Sequence, residues 1–362
     1  MELSATGTRS VRRVPPSPHG CSRRRSGAWS RTPCPTWSAT WSELSTSSGR
    51  ASDPSGVGVA VGRYAPSPTG DLHLGNLRTA VVAWLLARHS GSRFLMRVED
   101  LDPASRSGRF VDSQLDDLAA LGLDWDGVVM FQSERIDAYR AAIDQLIESD
   151  LTFRCYCSRR EIRQATQAAH DVGLAPRYPG TCHNLSEADH EARHLSGRPA
   201  ALRFRGRGRV ISLSDRIAGR YEGVVDDLVL RRNDGTPAYN IAVVVDDADQ
   251  GVEEVTRGDD LLAATPAQLA VCEALDLRPP SYAHVPLVLG PGGERLAKRD
   301  GAVTLAELAA RGVGAATVLS LIGHSLGLCA LGESVDLLEL LNRFDPAETA
   351  WTSWTVDEAQ IA

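Results

Sequence analysis

The sequence predicts an α/β protein on a doubly wound parallel sheet, with an insertion and a short C-terminal helical region. Three observations predict it. A strand, turn, helix, strand order opens near Val59, and the same grammar returns after Ala238. Between these halves, residues 151–200 lack that rhythm and hold three of the seven cysteines. From about residue 303 the apolar positions fall at helical spacing.

The elements follow in order. Val59 to Ala65 reads as a short buried strand that runs into the stiff turn Pro66-Ser67-Pro68-Thr69-Gly70. A helical pattern fits Asn76 to His89, with Leu77, Val81, Trp84, Leu85 and Ala87 apolar. Phe94 to Val98 is a second strand, ending at Glu99-Asp100-Leu101-Asp102, and helices fit 107–121 and 135–149. In the second half, Ala238 to Val245 reads as an apolar strand and Glu253 to Thr256 as another. A helix fits 265–275, and His284 to Leu289 reads as a further strand. Leu305, Leu308, Val313, Val318, Leu319 and Leu321, then Leu337, Leu338, Leu340 and Leu341, mark the closing helices. The resulting boundaries are 1–57, 58–150, 151–200, 201–302 and 303–362.

Composition limits the function. The 362 residues are 43% hydrophobic and 23% charged, which excludes wholesale disorder. No apolar run reaches the length of a membrane span, so no membrane partner is expected. In residues 1–57, eight arginines face Glu2, Glu43 and Asp53, a net of +5; the total is −7, which leaves −12 for the rest. That segment reads as a disordered basic tail or a start assigned too far upstream, and it lacks the apolar core of a secretory signal. An acidic body needs a local basic surface to hold nucleic acid; Arg203, Arg205, Arg207 and Arg209 are one such strip, or the wet face of a strand. Seven irregularly spaced cysteines argue against a disulfide framework.

Two features carry chemistry. The turn from Pro66 to Asn76 lies between a strand and a helix N-terminus, where free N–H groups and the helix dipole suit a phosphate. Gly70 and Gly75 permit close approach, and His73 can donate to a phosphate oxygen. The second feature is Lys298, the only lysine in the chain. It sits in Gly293-Glu-Arg-Leu-Ala-Lys-Arg-Asp-Gly301, and an ammonium is a compact point charge where guanidinium is a planar fork.

Taken together, these residues resemble the class I aminoacyl-tRNA synthetases, and within them the glutamyl group. Gly62-Arg-Tyr-Ala-Pro-Ser-Pro-Thr-Gly-Asp-Leu-His-Leu-Gly-Asn-Leu-Arg-Thr-Ala80 is similar to their first nucleotide motif, with His73-Leu74-Gly75-Asn76 at the HIGH position. The likeness runs through Arg97-Val-Glu-Asp-Leu-Asp102, Tyr239-Asn240, Arg257-Gly-Asp-Asp-Leu-Leu262 and Leu296-Ala-Lys-Arg-Asp300. It covers roughly residues 60 to 310 and implies a Rossmann-type catalytic domain. Lys298 matches the second lysine of the KMSKS loop, and Ala297 replaces its serine. The resemblance implies that Arg63, Tyr64, Ala65, Pro66, Ser67, Glu99, Tyr239 and Arg257 bind glutamate. It implies that His73, Gly75, Asn76 and Lys298 bind ATP, with Mg²⁺ and Lys298 stabilising the transferring phosphoryl group. The residue types agree: Glu99 suits an ammonium, the two arginines suit carboxylates, and Tyr239 adds a hydroxyl.

Cys155-Tyr-Cys157 and Cys182 suggest tetrahedral zinc. His170, His183 and Tyr178 are all candidates for the fourth ligand. Imidazole chemistry favours His183, although adjacent side chains at 182 and 183 point apart in most conformations. The glutamyl-queuosine tRNA(Asp) synthetases show Cys-x-Cys…Tyr-x3-Cys, and that resemblance implies Cys155, Cys157, Tyr178 and Cys182 around one structural zinc. The length agrees with that shortened group: 64 residues follow Lys298, fewer than an anticodon-binding region of usual domain size needs. The resemblance therefore implies a cytoplasmic, monomeric ligase. It would activate L-glutamate with ATP and pass it to queuosine of tRNA(Asp). A truncated glutamyl-tRNA synthetase acting on tRNA(Glu) and a non-catalytic tRNA-binding paralogue are the competing readings.

Overall fold

The computed structural model describes residues 60–102, 108–167, 177–293 and 303–356. The tail to residue 57, His170 and Lys298 lie outside the described residues.

The first half runs β1 (Val61–Tyr64), α1 (Leu74–His89), β2 (Arg93–Val98), α2 (Gly108–Ala120), β3 (Met130–Phe131) and α3 (Ile136–Glu148). Helix α1 begins two residues before the apolar pattern does, because His73 caps it: His73 Nδ1 accepts from the Gly75 amide, and Asn76 Oδ1 accepts from the His73 amide. The insertion adds β4 (Thr152–Cys155), α4 (Arg159–Gln167) and α5 (Glu187–Leu195). Then come β5 (Ala201–Phe204), β6 (Val210–Asp215), β7 (Gly219–Val224) and β8 (Val229–Arg231). β4 pairs antiparallel with β5, and β5 with β8. The boundary read at residue 200 therefore cuts across a small sheet that reaches Arg231.

Two sequence readings are corrected in the second half, which continues with α6 (Tyr239–Asp249) and β9 (Glu254–Gly258). Residues 238–245, read as a strand, form most of α6. Ile241 to Val245 are all buried, so the segment shows no period, and an apolar run without a period fits a buried helix equally well. It packs between α3 and α7 (Thr265–Ala274). The strand read over His284–Leu289 is two strands, β10 (Ser281–Val285) and β11 (Val288–Leu289). Pro286 has no N–H for the ladder and separates them. After α8 (Leu305–Ala310), α9 (Ala315–Ser325) and α10 (Leu337–Arg343), β11 pairs with the closing β12 (Trp354–Thr355).

The main sheet has the order β3-β2-β1-β9-β10-β6-β7, parallel except for the β6–β7 hairpin. From β1 the chain moves outward one way to β2 and β3, and later the other way through β9 and β10. The crevice at the carboxyl ends of β1 and β9 is thus a topological switch point, where such sheets bind ligands. Side-chain alternation sorts the faces. Tyr64, Phe94, Met96 and Val98 join the core with α1, α2 and the C-terminal helices. Val61, Leu95, Val255 and Tyr282 pack on the other face, with Leu269 of α7 against them. One step of two along each strand puts Arg63, Arg97, Arg257 and His284 on that second face.

Arg78 fastens the C-terminal region to α1. Fully buried, it donates to Ser325 Oγ at 3.1 Å, the Pro286 carbonyl at 2.8 Å and the Thr352 carbonyl at 3.0 Å. Among the described residues, no helix is long and apolar enough to cross a membrane.

Candidate active site and metal centre

The switch-point crevice gathers the side chains expected to hold an amino acid. Arg63 leaves β1, Glu99 follows β2, Arg257 lies on β9 and Tyr239 opens α6. Ser67 Oγ lies 3.3 Å from Glu99 Oε2, and the Glu99 amide donates to the Pro66 carbonyl at 2.9 Å, which ties the Ala65–Ser67 run to β2. Gln114 of α2 steadies the same turn by donating to the carbonyls of Ser67 and Gly70. Burial pushes Glu99 above the ordinary carboxylate range, while Arg97 and Arg63 pull it back. A substrate ammonium would supply the charge that burial withholds. Burial, with Glu99 nearby, raises the Tyr239 phenol, so it remains a hydroxyl donor at neutral pH.

The two arginines are engaged differently. Arg63 directs Nε and Nη2 to Asp247, both at 3.0 Å, and Nη1 to the Thr256 carbonyl at 3.2 Å. Its parallel pair of bonds is therefore made inside the protein, which leaves two of its five N–H groups for a ligand. Arg257 donates Nε to His284 Nε2 at 3.1 Å and Nη2 to Thr265 Oγ1 at 2.8 Å. Among the described residues, its Nη1 is buried with no hydrogen-bond partner. An orphaned guanidinium nitrogen is costly unless something binds it, and a carboxylate fits.

Sequence reasoning missed the acidic underside of this pocket. Asp247 also takes Arg97 Nη1 at 2.7 Å, and Asp246 accepts from Arg135, Tyr139 and Gln132. The signal was the Asp246-Asp247-x-Asp249 run, which becomes the end of a helix once residues 238–245 are read correctly. Tyr64 packs in the core, and its hydroxyl donates to the Asn76 carbonyl.

At the nucleotide motif, His73 Nδ1 accepts a backbone hydrogen bond, so a neutral ring carries its proton on Nε2. Gly75 makes room for that ring: a Cβ there would sit 3.0 Å from His73 Cε1. The Asn76 side chain closes the cap through Oδ1. His73 also forms a β-bridge with Thr304, six residues after Lys298 in sequence.

In the insertion, Cys155, Cys157 and Cys182 lie with their sulfurs within 4.8 Å of one another, a group that could hold a metal ion. Tyr178 Oη lies 3.8 Å from Cys157 Sγ and accepts from the Cys182 amide at 2.8 Å. The Arg203 guanidinium sits 4.2 Å from the centre of its ring. Burial, with Cys155 beside it, pushes the Cys157 thiol up to about 11. A dication relieves such crowding by converting thiols to thiolates. His183 turns away: its Nε2 bonds Asp227, and its ring stands edge-on to Phe153. The arginine strip also disperses. Arg203 is buried against Tyr178, Arg205 donates to the Thr152 carbonyl, and Arg209 pairs with Glu273.

Residues 59–350 match the family model of the class I tRNA synthetase (E and Q) catalytic domain. The chain is 56% identical to a glutamyl-Q tRNA(Asp) synthetase of Nocardia farcinica, over 82% of this chain and 93% of that protein. It is 49% identical to one of Cutibacterium acnes, over 80% and 81%. A crystal structure of a glutamate tRNA ligase from Elizabethkingia meningosepticum in complex with its amino acid superposes with a TM-score of 0.69 at 26% identity, covering 84% of this chain and 68% of the ligase. On the matched motif span, the sheet order and these relatives, the chain belongs to the class I tRNA synthetases of the glutamate and glutamine group, within the glutamyl-Q tRNA(Asp) synthetase branch.

Proposed function

We propose that the chain activates L-glutamate with ATP in the absence of tRNA and transfers the glutamyl group to queuosine at the wobble position of tRNA(Asp). The observation that carries the amino-acid assignment is the buried, unpartnered Nη1 of Arg257 beside Glu99, Tyr239 and Arg63. The acceptor assignment rests on the names of the Nocardia and Cutibacterium relatives.

Glu99 holds the substrate ammonium. Arg257 and the remaining N–H groups of Arg63 hold carboxylate oxygens, and Tyr239 donates its hydroxyl. His73 Nε2–H and the N-terminus of α1 receive nucleotide phosphates, with Gly75 and Asn76 shaping the cap. A glutamate α-carboxylate oxygen attacks the α-phosphorus of ATP, and the bond to pyrophosphate breaks. Lys298 neutralises the charge that builds on the transferring group, and Mg²⁺ enters bound to the triphosphate. A queuosine hydroxyl oxygen then attacks the acyl carbon. AMP departs, and its phosphate takes the hydroxyl proton. In the insertion, Cys155, Cys157, Cys182 and Tyr178 would hold one zinc ion. Held by four protein donors, that ion would supply structure.

Glutamate-dependent ATP–pyrophosphate exchange without tRNA tests the first step, and no exchange in a folded sample would favour a binding protein. Acceptance by tRNA(Asp) with and without queuosine, alongside tRNA(Glu), tests the second. Charging of tRNA(Glu) instead would assign the chain to the ordinary glutamyl enzymes.

A further inference from the structure

Strands β9 and β10 lie in parallel register with Arg257 opposite His284. Behind His284 stands Asp215, at the end of the neighbouring β6, and both side chains are 0% exposed. We propose that the buried Asp215–His284 pair is a positioning device that sets which edge of Arg257 faces the amino-acid substrate, a role that rests on Arg257 binding a substrate carboxylate.

The hydrogen bonds fix a single protonation pattern. Arg257 Nε carries a hydrogen, so His284 Nε2, 3.1 Å away, must present a lone pair. The ring proton then sits on Nδ1, which donates to Asp215 Oδ2 at 2.6 Å. Asp215 cannot turn, because its Oδ1 accepts from the amides of Ile217, Ala218 and His284 at 2.9, 2.8 and 3.1 Å. Burial and the Arg257 charge keep His284 low and therefore neutral. With Nε on His284 and Nη2 on Thr265, two corners of the guanidinium plane are pinned, over the Tyr282 ring at 5.3 Å. The third corner, Nη1, is the one without a partner among the described residues. In the opposite tautomer, Nε2–H would meet Nε–H, two donors would face each other, and the fork would rotate away. Asp215 thus acts on the substrate through a histidine and an arginine, touching neither glutamate nor ATP.

Asp215→Asn tests this with little change of shape. Its amide oxygen keeps the three backbone bonds, while its NH₂ faces Nδ1 and drives the proton to Nε2. We expect the glutamate KM in pyrophosphate exchange to rise about tenfold or more, the cost of one lost charge-assisted hydrogen bond. The ATP KM should stay within about twofold. His284→Gln offers an amide oxygen to Arg257 whichever proton Asp215 requires, so adding Asp215→Asn to it should leave the glutamate KM of His284→Gln unchanged. An unchanged glutamate KM in Asp215→Asn, or equal rises for glutamate and ATP, would overturn the proposal. Long-range ¹⁵N imidazole NMR of the unaltered protein needs no variant to fold: a proton on His284 Nδ1 supports the proposal, and one on Nε2 overturns it. Arg257→Met separates the two layers. If it spares the glutamate KM, the substrate reading itself fails; if it raises that KM while Asp215→Asn does not, only the positioning role fails.

Discussion

Arg63 and Asp247, 184 residues apart in sequence, meet through two hydrogen bonds of 3.0 Å with almost no exposure to solvent. Arg97 shares the same carboxylate. One acid on α6 therefore aligns the carboxyl ends of β1 and β2, and the pocket floor depends on a charge that touches no substrate in the proposed chemistry.

Replacing that acid leaves two buried guanidiniums short of a counter-charge. Asp247→Asn should cost about 3 kcal/mol of stability at pH 7 and lower glutamate activation. Urea unfolding and pyrophosphate exchange read the two effects. Buried, but held down by Arg63 and Arg97, Asp247 titrates at about 2 when folded, below its ordinary value. A depressed acid stabilises the fold above its unfolded pKa and loses that contribution as pH falls toward 2. The acid arm of the stability–pH curve should therefore flatten in the variant.

Asp117 behaves in the opposite sense. Burial, with Asp71 and Asp116 nearby, raises it to about 6. A raised acid contributes stability below its unfolded pKa and loses it as pH rises through 6. Asp117→Asn should stabilise the protein at pH 8 by about 1 kcal/mol, allowing for solvent screening at a partly exposed site. At pH 4 it should have little effect. Thermal unfolding at both values checks the sign.

Lys298→Arg keeps the charge and changes its shape. Activation should fall by about two orders of magnitude if the ammonium follows the transferring phosphoryl group. Thermal unfolding should not move. Near-normal pyrophosphate exchange would contradict the role assigned to this lysine.

Metal analysis of protein purified without chelator should find one zinc per chain. Tyr178→Phe removes a phenol oxygen 3.8 Å from Cys157 Sγ. It should weaken retention about tenfold under chelator challenge, and Cys182→Ser should abolish retention. Equal retention in Tyr178→Phe would exclude the tyrosine as a ligand.

Much of this was legible in the chain because local rules were strong. The turn from Pro66 to Gly70 punctuates a strand and a helix, and the short apolar run Phe94–Val98 marks a buried strand. Helix α6 was not legible as a helix, because burial on every side erases the period that separates helix from strand. The error hid Asp246 and Asp247, since a strand at that place would have ended before them. His284 was unreadable for another reason: its partners Asp215 and Arg257 lie 69 and 27 residues away and meet only through strand pairing. The candidates for the fourth ligand could not be ranked from spacing alone, and the described structure turns His183 toward Asp227 while Tyr178 approaches the thiols.

Arg78 carries a final consequence. Its pKa is depressed to about 10, chiefly by burial, and its hydrogen bonds end on residues 286, 325 and 352. A version of this protein trimmed before residue 325 would not be a lighter catalyst. It would take two of three hydrogen-bond partners from a buried cation, so the C-terminal region works as a clasp on the nucleotide half.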